Sequence, residues 1–401
     1  MDEDRAEARV IKSILVCMAL VLNVLPWTAP GAGAEEALTI LYTGGMDGEL
    51  EPCGCSPKTD FGGLARLSGY ISAHSEALSP YILVDAGNFT DKDTPQGRLK
   101  AEAFLKSFSI MKYDAVAFSD REKAFPGDFL PPLLEKYKVP VLPGDARGPQ
   151  SILIPLGNTG IHVSISPEHP LEGMVNILLT GVPPSQAEGV EGWDIVISSS
   201  GEELEEPLRK DGAVIVSGFP RGKKLGILRV KRYREGNREI TNTWQELGND
   251  SKEDPRVREV LDEYDAKVAQ LMKEAERPPA GTTYLGVDEC AKCHQVFVES
   301  WEKTRHAGAF ADLEAAGKAN DPECVVCHTV GYGEPGGFFS IDTTPELANV
   351  QCEECHGLNR EHINDFSSPM MPVTEEVCLK CHTKENSPDF NFSVYLKKIS
   401  H

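Results

Sequence analysis

The stretch PECVVCH, residues 322–328, places two cysteines three positions apart and a histidine directly after the second. This Cys-x-x-Cys-His pattern occurs four times, as Cys290-Cys293-His294, Cys324-Cys327-His328, Cys352-Cys355-His356 and Cys378-Cys381-His382. Two thiols at this spacing can form thioethers with one haem, while the adjacent imidazole binds the haem iron. Zinc ribbons and disulfides are the alternatives, but neither requires a histidine after each cysteine pair. The repeat therefore predicts four covalently attached c-type haems.

The region around these motifs, residues 281–401, holds seven of the ten histidines and eight of the eleven cysteines. Strand-like patterns nearly vanish here, so we expect a small, mainly helical domain that the haems help to organise. His306, His362 and His401 lie outside the motifs and are candidate second ligands to iron, with a solvated surface role as the alternative. Three such histidines leave one of four irons open, or bound by Met370 or Met371.

The first 34 residues have the pattern of an export signal. Positive residues precede a short apolar run, residues 14–25, which is followed by small residues ending at Ala34. The run is too short to span a bilayer comfortably, and Cys17 lies within it. We expect cleavage after Ala34 and a soluble periplasmic protein without a membrane span. The net charge of −22 argues against nucleic-acid binding and favours basic partners.

Residues 35–250 alternate strand-like and helix-like runs, which predicts an α/β domain. The clearest strands are LTILYTGG, PYILVDAG, DAVAFSD, NILLTGV, WDIVISSSG and GAVIVSGF, with helices expected over residues 64–76 and 94–112. Residues 212–232 suggest a hairpin that closes the sheet. Residues 251–280 predict a helix, capped by Asp254 and Pro255, and a Pro-Gly linker.

The C-terminal motifs resemble the tetrahaem cytochromes that accept electrons from hydroxylamine oxidoreductase. The resemblance rests on CVVCHTVGYGEPGGF, on VQCEECHG followed by REH, on RHAGAF and on PDFNFSVYLKKISH, and it covers about residues 284–401. It implies that His306, His362 and His401 are distal ligands, that three haems are bis-histidine and that one is high-spin. It also implies closely stacked haem pairs through which electrons hop.

The N-terminal part is similar to the exported 5′-nucleotidase-like metallophosphoesterases, which implies a sandwich of two sheets flanked by helices. Catalysis in that family needs two metals held by histidines and carboxylates. Serines occupy residues 198–200, where a ligand histidine is expected, and the other matching positions read Gly45, Asp47, Asn88, Asp120 and Arg121. We therefore do not expect phosphoester hydrolysis. The polar residues Asp47, Asp85, Asn88, Asp120 and Glu122 either bind one hard cation or are loop residues of a lost site.

Cys53 and Cys55 are the remaining cysteines of the mature chain. Similar pairs followed by GGLAR occur in a redox-like branch of the phosphoesterase family. The pair can close a small, easily reduced disulfide ring or serve as a structural element of a surface loop.

Together these patterns predict an exported tetrahaem c-type cytochrome that transfers electrons between periplasmic redox proteins. In an alternative hypothesis, one five-coordinate haem oxidises or reduces a small nitrogen, oxygen or sulfur compound.

Overall fold

A computed structural model describes residues 36–52, 55–145, 148–156, 159–204, 206–232, 238–275 and 284–401. The predicted export signal and the Pro-Gly linker, residues 276–281, lie outside this part of the chain. In chain order the strands are β1 (Glu36–Thr43), β2 (Tyr81–Asp85), β3 (Ala115–Ala117), β4 (Val141–Leu142), β5 (Ser151–Leu156), β6 (Thr159–Ser164), β7 (Val175–Thr180), β8 (Ile195–Ser198), β9 (Leu208–Lys210), β10 (Ala213–Ser217), β11 (Lys224–Arg232) and β12 (Arg238–Glu246). Each of the six strand-like runs named above overlaps one of these strands.

The described strands form two six-stranded sheets, in the orders β12-β11-β1-β2-β3-β4 and β5-β6-β7-β8-β10-β9. β1 is parallel to β2 and antiparallel to β11. Apolar side chains of both sheets, such as Ile40 and Ile197, form a buried layer between them. This layer is the central core of an α/β sandwich, because each sheet buries one face against the other.

The hairpin predicted over residues 212–232 is wrong. β10 pairs with β8 and β9, whereas β11 pairs with β1 and β12, so the chain crosses between sheets here. At the crossing Gly218 lies against Gly44, where an added Cβ would come 2.2 Å from the Gly44 oxygen. Two adjacent apolar runs look the same in sequence whether they pair with each other or enter opposite sheets.

Helices cover the outer face of the first sheet. They are α1 (Leu64–Ala73), α2 (Ser75–Leu78), α3 (Pro95–Met111), α4 (Asp120–Lys123), α5 (Leu130–Tyr137) and α6 (Pro255–Glu274). As predicted, Asp254 caps α6 by accepting a hydrogen bond from the Arg256 amide. The apolar face of α6, including Val257 and Leu261, is buried in the same core as α1 and α3.

The C-terminal region is built from short helices: α7 (Val287–Trp301), α8 (Ala309–Ala315), α9 (Pro322–His328), α10 (Cys352–His356), α11 (Glu361–Asn364), α12 (Glu375–Leu379) and α13 (Phe392–Ile399). One small apolar cluster, centred on Phe310, Val325 and Phe338, packs α8 and α9 together. Among the described helices, none has the length and apolar character to cross a membrane.

Candidate functional site

Each Cys-x-x-Cys-His motif lies on or beside a short helix. The second motif occupies the C-terminal part of α9. At the N-terminus of this helix, Asp321 acts as the cap by accepting a hydrogen bond from the Glu323 amide. Cysteines three residues apart on a helix face the same side, so one turn presents both Cys324 and Cys327 to one ligand. The first motif lies within α7, which departs from helical geometry at His294. None of the eight motif cysteines forms a disulfide.

The structure brings six of the seven C-terminal histidines together in pairs. The ring centroids of His294 and His362 lie 6.0 Å apart, those of His306 and His382 lie 6.2 Å apart, and those of His356 and His401 lie 6.0 Å apart. Two metal–nitrogen bonds of about 2 Å each, as in histidine metal sites, set the two ring centroids roughly 6 Å apart. Each pair therefore has the spacing that one shared metal ion requires.

His328, in the second motif, differs from the other motif histidines. Within residues 284–401 no imidazole lies opposite its ring at this spacing. Met371, one of the residues suggested as a substitute ligand, lies instead beside the third motif, where its amide donates to the His356 oxygen. Among the described residues, the second motif is thus the one whose histidine has no such partner.

Backbone carbonyls fix the orientation of three of these rings. The Nδ1 atom of His328 donates to the Ala309 oxygen at 2.5 Å, and that of His362 donates to the Ser368 oxygen at 2.8 Å. His356 Nδ1 makes a longer contact of 3.3 Å to the Met371 oxygen. Because a carbonyl only accepts, each hydrogen bond leaves Nε2 unprotonated and able to bind a metal ion.

Burial favours the neutral form of two other rings. It lowers the pKa of His306, with smaller contributions from the nearby His382 and His328, and it also lowers the pKa of His382. A neutral imidazole keeps the nitrogen lone pair that binds iron. These two histidines form one of the pairs described above, so both sides of that pair suit a metal.

Thiols from different motifs lie next to each other. The thiols of Cys290 in the first motif and Cys352 in the third are close enough for each to shift the pKa of the other, and the same holds for Cys327 in the second and Cys381 in the fourth. Cys290 lowers the pKa of Cys352 to about 7. The fold therefore groups the first motif with the third and the second with the fourth.

The apolar surface of this region is also what a haem requires. Large apolar side chains that are exposed here include Val296, Phe297, Val326, Phe366 and Val394, and Phe366 is 72% exposed. Exposed apolar groups at this density mark a surface that another apolar body covers. Together with paired thiols and paired imidazoles, these surfaces fit a haem at each motif.

The second motif is anchored to the α/β part of the chain, which the sequence did not reveal. Lys100 of α3, whose side chain is 7% exposed, contacts Glu323 at 2.5 Å and Asp91 at 3.5 Å. Gln96, one turn earlier, donates to the Asp321 carboxylate at 2.9 Å. In the sequence, the Asp-Pro pair at the start of α9 indicates a helix cap. It does not indicate which distant residue contacts that cap.

A second group of contacts between the two parts of the chain centres on Lys318. Its ammonium contacts Glu51 at 2.8 Å and Asp265 of α6 at 2.7 Å. Burial tends to raise the pKa of Glu51, but Lys318 and Arg258 outweigh this effect and leave that pKa below its usual value. These ion pairs lie between the α/β part and the cytochrome-like part.

In the α/β part, an arginine lies among the polar residues at the expected metal positions. Arg121 Nε contacts Asp47 at 2.8 Å, and its Nη1 lies 3.8 Å from Asp91. Burial raises the pKa of Asp47, and Arg121 and Arg221 oppose that rise. Within the described residues, no group of three histidine, cysteine or acidic side chains could hold a metal ion.

The other polar residues of this group have structural partners. Glu122 accepts hydrogen bonds from the amides of Asn88, Thr90 and Ser119, which closes the first turn of α4. The Asn88 side chain donates to the Ser199 oxygen. Asp85 is fully buried beside Thr43, and burial is the main cause that raises its pKa to about 7. The site is thus occupied by internal hydrogen bonds and one guanidinium.

Cys55 is disulfide-bonded, and Cys53 lies outside the described residues. The loop that carries Cys55 is held close to the fourth motif. Lys58 pairs with Asp389 at 2.7 Å, and Phe390, the next residue, stacks on His382 at 5.0 Å between centroids. The loop and the fourth motif are therefore neighbours in space.

Two parts of the chain resemble different known proteins. Residues 289–357 match the protein family described as cytochrome c554 and c-prime. Cytochrome c-554 of Nitrosomonas europaea is 35% identical over 101 residues, which cover 21% of this chain and 43% of that protein. The chain thus spans less than half the length of this curated relative.

Solved structures resemble the other part of the chain. A 5′-nucleotidase precursor from Thermus thermophilus aligns with a TM-score of 0.50 at 17% identity, covering 68% of both chains. The NAD nucleotidase of Haemophilus influenzae aligns with a TM-score of 0.50 at 15% identity, covering 63% of this chain and 64% of that one. At these identities the likeness shows the fold alone.

The comparisons confirm both resemblances and the predicted fold class. The N-terminal part has a metallophosphoesterase-like α/β fold, and the C-terminal region is similar to the cytochrome c554 family, which binds covalent c-type haem.

Proposed function

We propose that this chain is an exported tetrahaem cytochrome that passes single electrons between periplasmic redox proteins. The observation that carries the proposal is the arrangement of three imidazole pairs, each with a centroid separation near 6 Å, around four cysteine motifs. When both axial positions of an iron are filled, the centre is suited to electron transfer rather than to substrate binding.

The three imidazole pairs support a proposed assignment of each distal histidine to a haem. His294 and His362 would hold the haem of the first motif, His356 and His401 that of the third, and His382 and His306 that of the fourth. His328 would hold the second haem from one side. The bound haems would supply one-electron oxidation and reduction at iron.

The polypeptide fixes the order and the surroundings of these centres. The proximity of Cys290 to Cys352 and of Cys327 to Cys381 supports a pairing of the first motif with the third and of the second with the fourth, so neighbouring haems would be close enough for electrons to pass. Backbone carbonyls hold the His328 and His362 rings through Nδ1. The charge of −22 would attract redox partners with basic surfaces, because opposite potentials accelerate encounter.

The α/β part would serve as a docking or sensing unit rather than a hydrolase. The Asp47–Arg121 ion pair lies where the resemblance places metal ligands, and Glu122 is committed to backbone amides. A carboxylate bound by an arginine is a poor ligand for a second cation, since that cation must displace the guanidinium. Added manganese should therefore give no phosphate-ester turnover.

Three measurements on the purified protein test this proposal. Mass spectrometry and a haem stain should show four attached haems, and electron paramagnetic resonance should show three low-spin centres for each high-spin one. A protein that holds zinc and lacks haem would overturn the proposal. Four low-spin centres would contradict the ligand assignment at His328.

The unpaired His328 supports a second candidate, catalysis at an open haem. A five-coordinate iron can bind a small nitrogen, oxygen or sulfur compound on its free side. Steady-state assays with a viologen donor and nitrite, hydroxylamine or sulfite distinguish the two functions. Turnover well above that of free haem would favour the catalyst over the electron carrier.

A further inference from the structure

Two lysines at the contact between the two parts of the chain lie next to the second motif. Among the described residues, His328 of this motif has no imidazole opposite its ring. We infer that the α/β part sets the reduction potential of the second haem through the charges of Lys100 and Lys318. The inference rests on the proposed tetrahaem function, because the second motif must carry haem. It gives the α/β part a specific action on the centre that the three imidazole pairs leave open.

Lys100 connects α3 to the start of α9. Its side chain is 7% exposed, and its ammonium lies 2.5 Å from the carboxylate of Glu323, which directly precedes Cys324 in the chain. Gln96, one turn earlier on α3, donates to the Asp321 carboxylate at 2.9 Å. The α/β part therefore holds the start of α9 immediately before the first attachment cysteine of the second motif.

Lys318 brings a second positive charge to the same cysteine. Burial is the main cause that raises the pKa of Cys324 to about 12, Asp321 adds to this rise, and Lys318 opposes it. The ammonium of Lys318 is therefore close enough to influence the charge at this sulfur. Two carboxylates of the α/β part hold that ammonium, Glu51 at 2.8 Å and Asp265 at 2.7 Å. The position of the second charge is thus also fixed by the α/β part.

The ion pairs of Lys100 continue to the positions where the phosphoesterase resemblance places metal ligands. Lys100 lies 3.5 Å from one oxygen of Asp91, and the other oxygen of Asp91 lies 3.8 Å from Arg121. Arg121 in turn pairs with Asp47 at 2.8 Å. Negative and positive groups therefore alternate from Asp47 to Glu323. This series joins the expected metal positions of the α/β part to the start of the second motif.

A fixed charge near a haem changes the balance between its ferric and ferrous forms. Ferric iron carries one more positive charge than ferrous iron, so a nearby ammonium favours the ferrous form and raises the potential. An unpaired carboxylate has the opposite effect. Because both lysines pair with carboxylates, removing either lysine leaves excess negative charge beside the second motif. Removing the Glu323 charge instead leaves excess positive charge there.

A redox titration of the haem-loaded, full-length protein tests the inference, with the high-spin electron paramagnetic resonance signal reporting on the second haem. Lys100→Met and Lys318→Met should each lower the potential of that centre by about 30–60 mV, roughly a threefold to tenfold change in a one-electron equilibrium. Glu323→Gln should raise the potential, and combining it with Lys100→Met should restore a value near that of wild-type protein. Lys100→Arg keeps the charge and should keep the potential. Lys106→Met is the matched control on α3, because Lys106 pairs with Glu263 within the α/β part, and it should change nothing.

Opposite shifts from the two partners of one ion pair separate an effect of charge from a loss of packing, which gives no such change of sign. Glu323 is 52% exposed, so Glu323→Gln provides this readout even if Lys100→Met does not fold. If the potential of the high-spin centre is the same in every variant, or if all four haems shift equally, the inference is overturned and the electron-carrier proposal stands. If the wild-type protein lacks haem, its spectrum shows this before any titration, and the proposed function fails together with the inference.

Discussion

In the proposed assignment, replacing His401 by alanine should open one haem and leave the others unchanged. His401 lies two residues beyond the end of α13, and the centroid of its ring lies 6.0 Å from that of His356. The three imidazole pairs predict three low-spin centres and one high-spin centre in wild-type protein. His401→Ala removes one ligand from one pair, so the ratio should become two to two.

Carbon monoxide provides a count that is independent of spin. It binds ferrous haem only where a ligand position is open, so the wild-type protein should bind one molecule per chain and His401→Ala should bind two. His169→Ala is the matched control, because that side chain is 83% exposed in the α/β part, and it should change neither number. Unchanged spin and gas binding in His401→Ala, with four haems still attached, would refute the pairing.

Two further predictions concern how the two parts of the chain are held, and a third concerns packing within the first sheet. Lys100→Met removes the cation shared by Glu323 and Asp91, and Arg121 remains 3.8 Å from Asp91. Because Glu323 is half exposed, this change should lower the free energy of unfolding by about 1–2 kcal/mol in urea, and an equal loss in Lys106→Met would contradict this. The depressed pKa of Glu51 means that its stabilisation is present above about pH 4.5 and lost as the pH falls through the lower folded value. Glu51→Gln should therefore flatten the acid side of the stability curve, and an unchanged curve would count against the ion pairs. Gly226→Ala should cost about 3 kcal/mol in thermal or urea unfolding, because the new Cβ would lie 2.1 Å from the buried Tyr42 ring; a loss below about 1 kcal/mol would show that the ring can move.

Local patterns in the sequence predicted several elements of the α/β part. Apolar runs located six of the twelve described strands, and the Asp254-Pro255 start located α6, because capping and periodicity are properties of neighbouring residues. The pairing of strands was less accessible. The supposed hairpin over residues 212–232 failed because β10 and β11 have similar apolar patterns but enter different sheets.

The residues of the candidate site likewise fall into those that local sequence patterns identify and those that depend on the tertiary fold. The Cys-x-x-Cys-His motifs are contiguous, so the sequence alone names the proposed attachment residues. The partner of each motif histidine depends on how helices fold back on one another, and His362 and His294 are far apart in sequence. The contact of Lys100 with Glu323 could not be predicted either, because the sequence does not distinguish an exposed lysine from a buried lysine that forms ion pairs.

The Arg121 guanidinium between Asp47 and Asp91 has a consequence for how this domain matures. A metal ion must be acquired from the surroundings and can be lost to a competitor, whereas a guanidinium is synthesised with the chain and stays charged throughout the physiological pH range. The positive charge beside Asp47 and Asp91 is therefore part of the polypeptide as soon as it is synthesised. Within the described residues, Asp47 and Asp91 therefore have a neighbouring cation that no metal-delivery step has to supply.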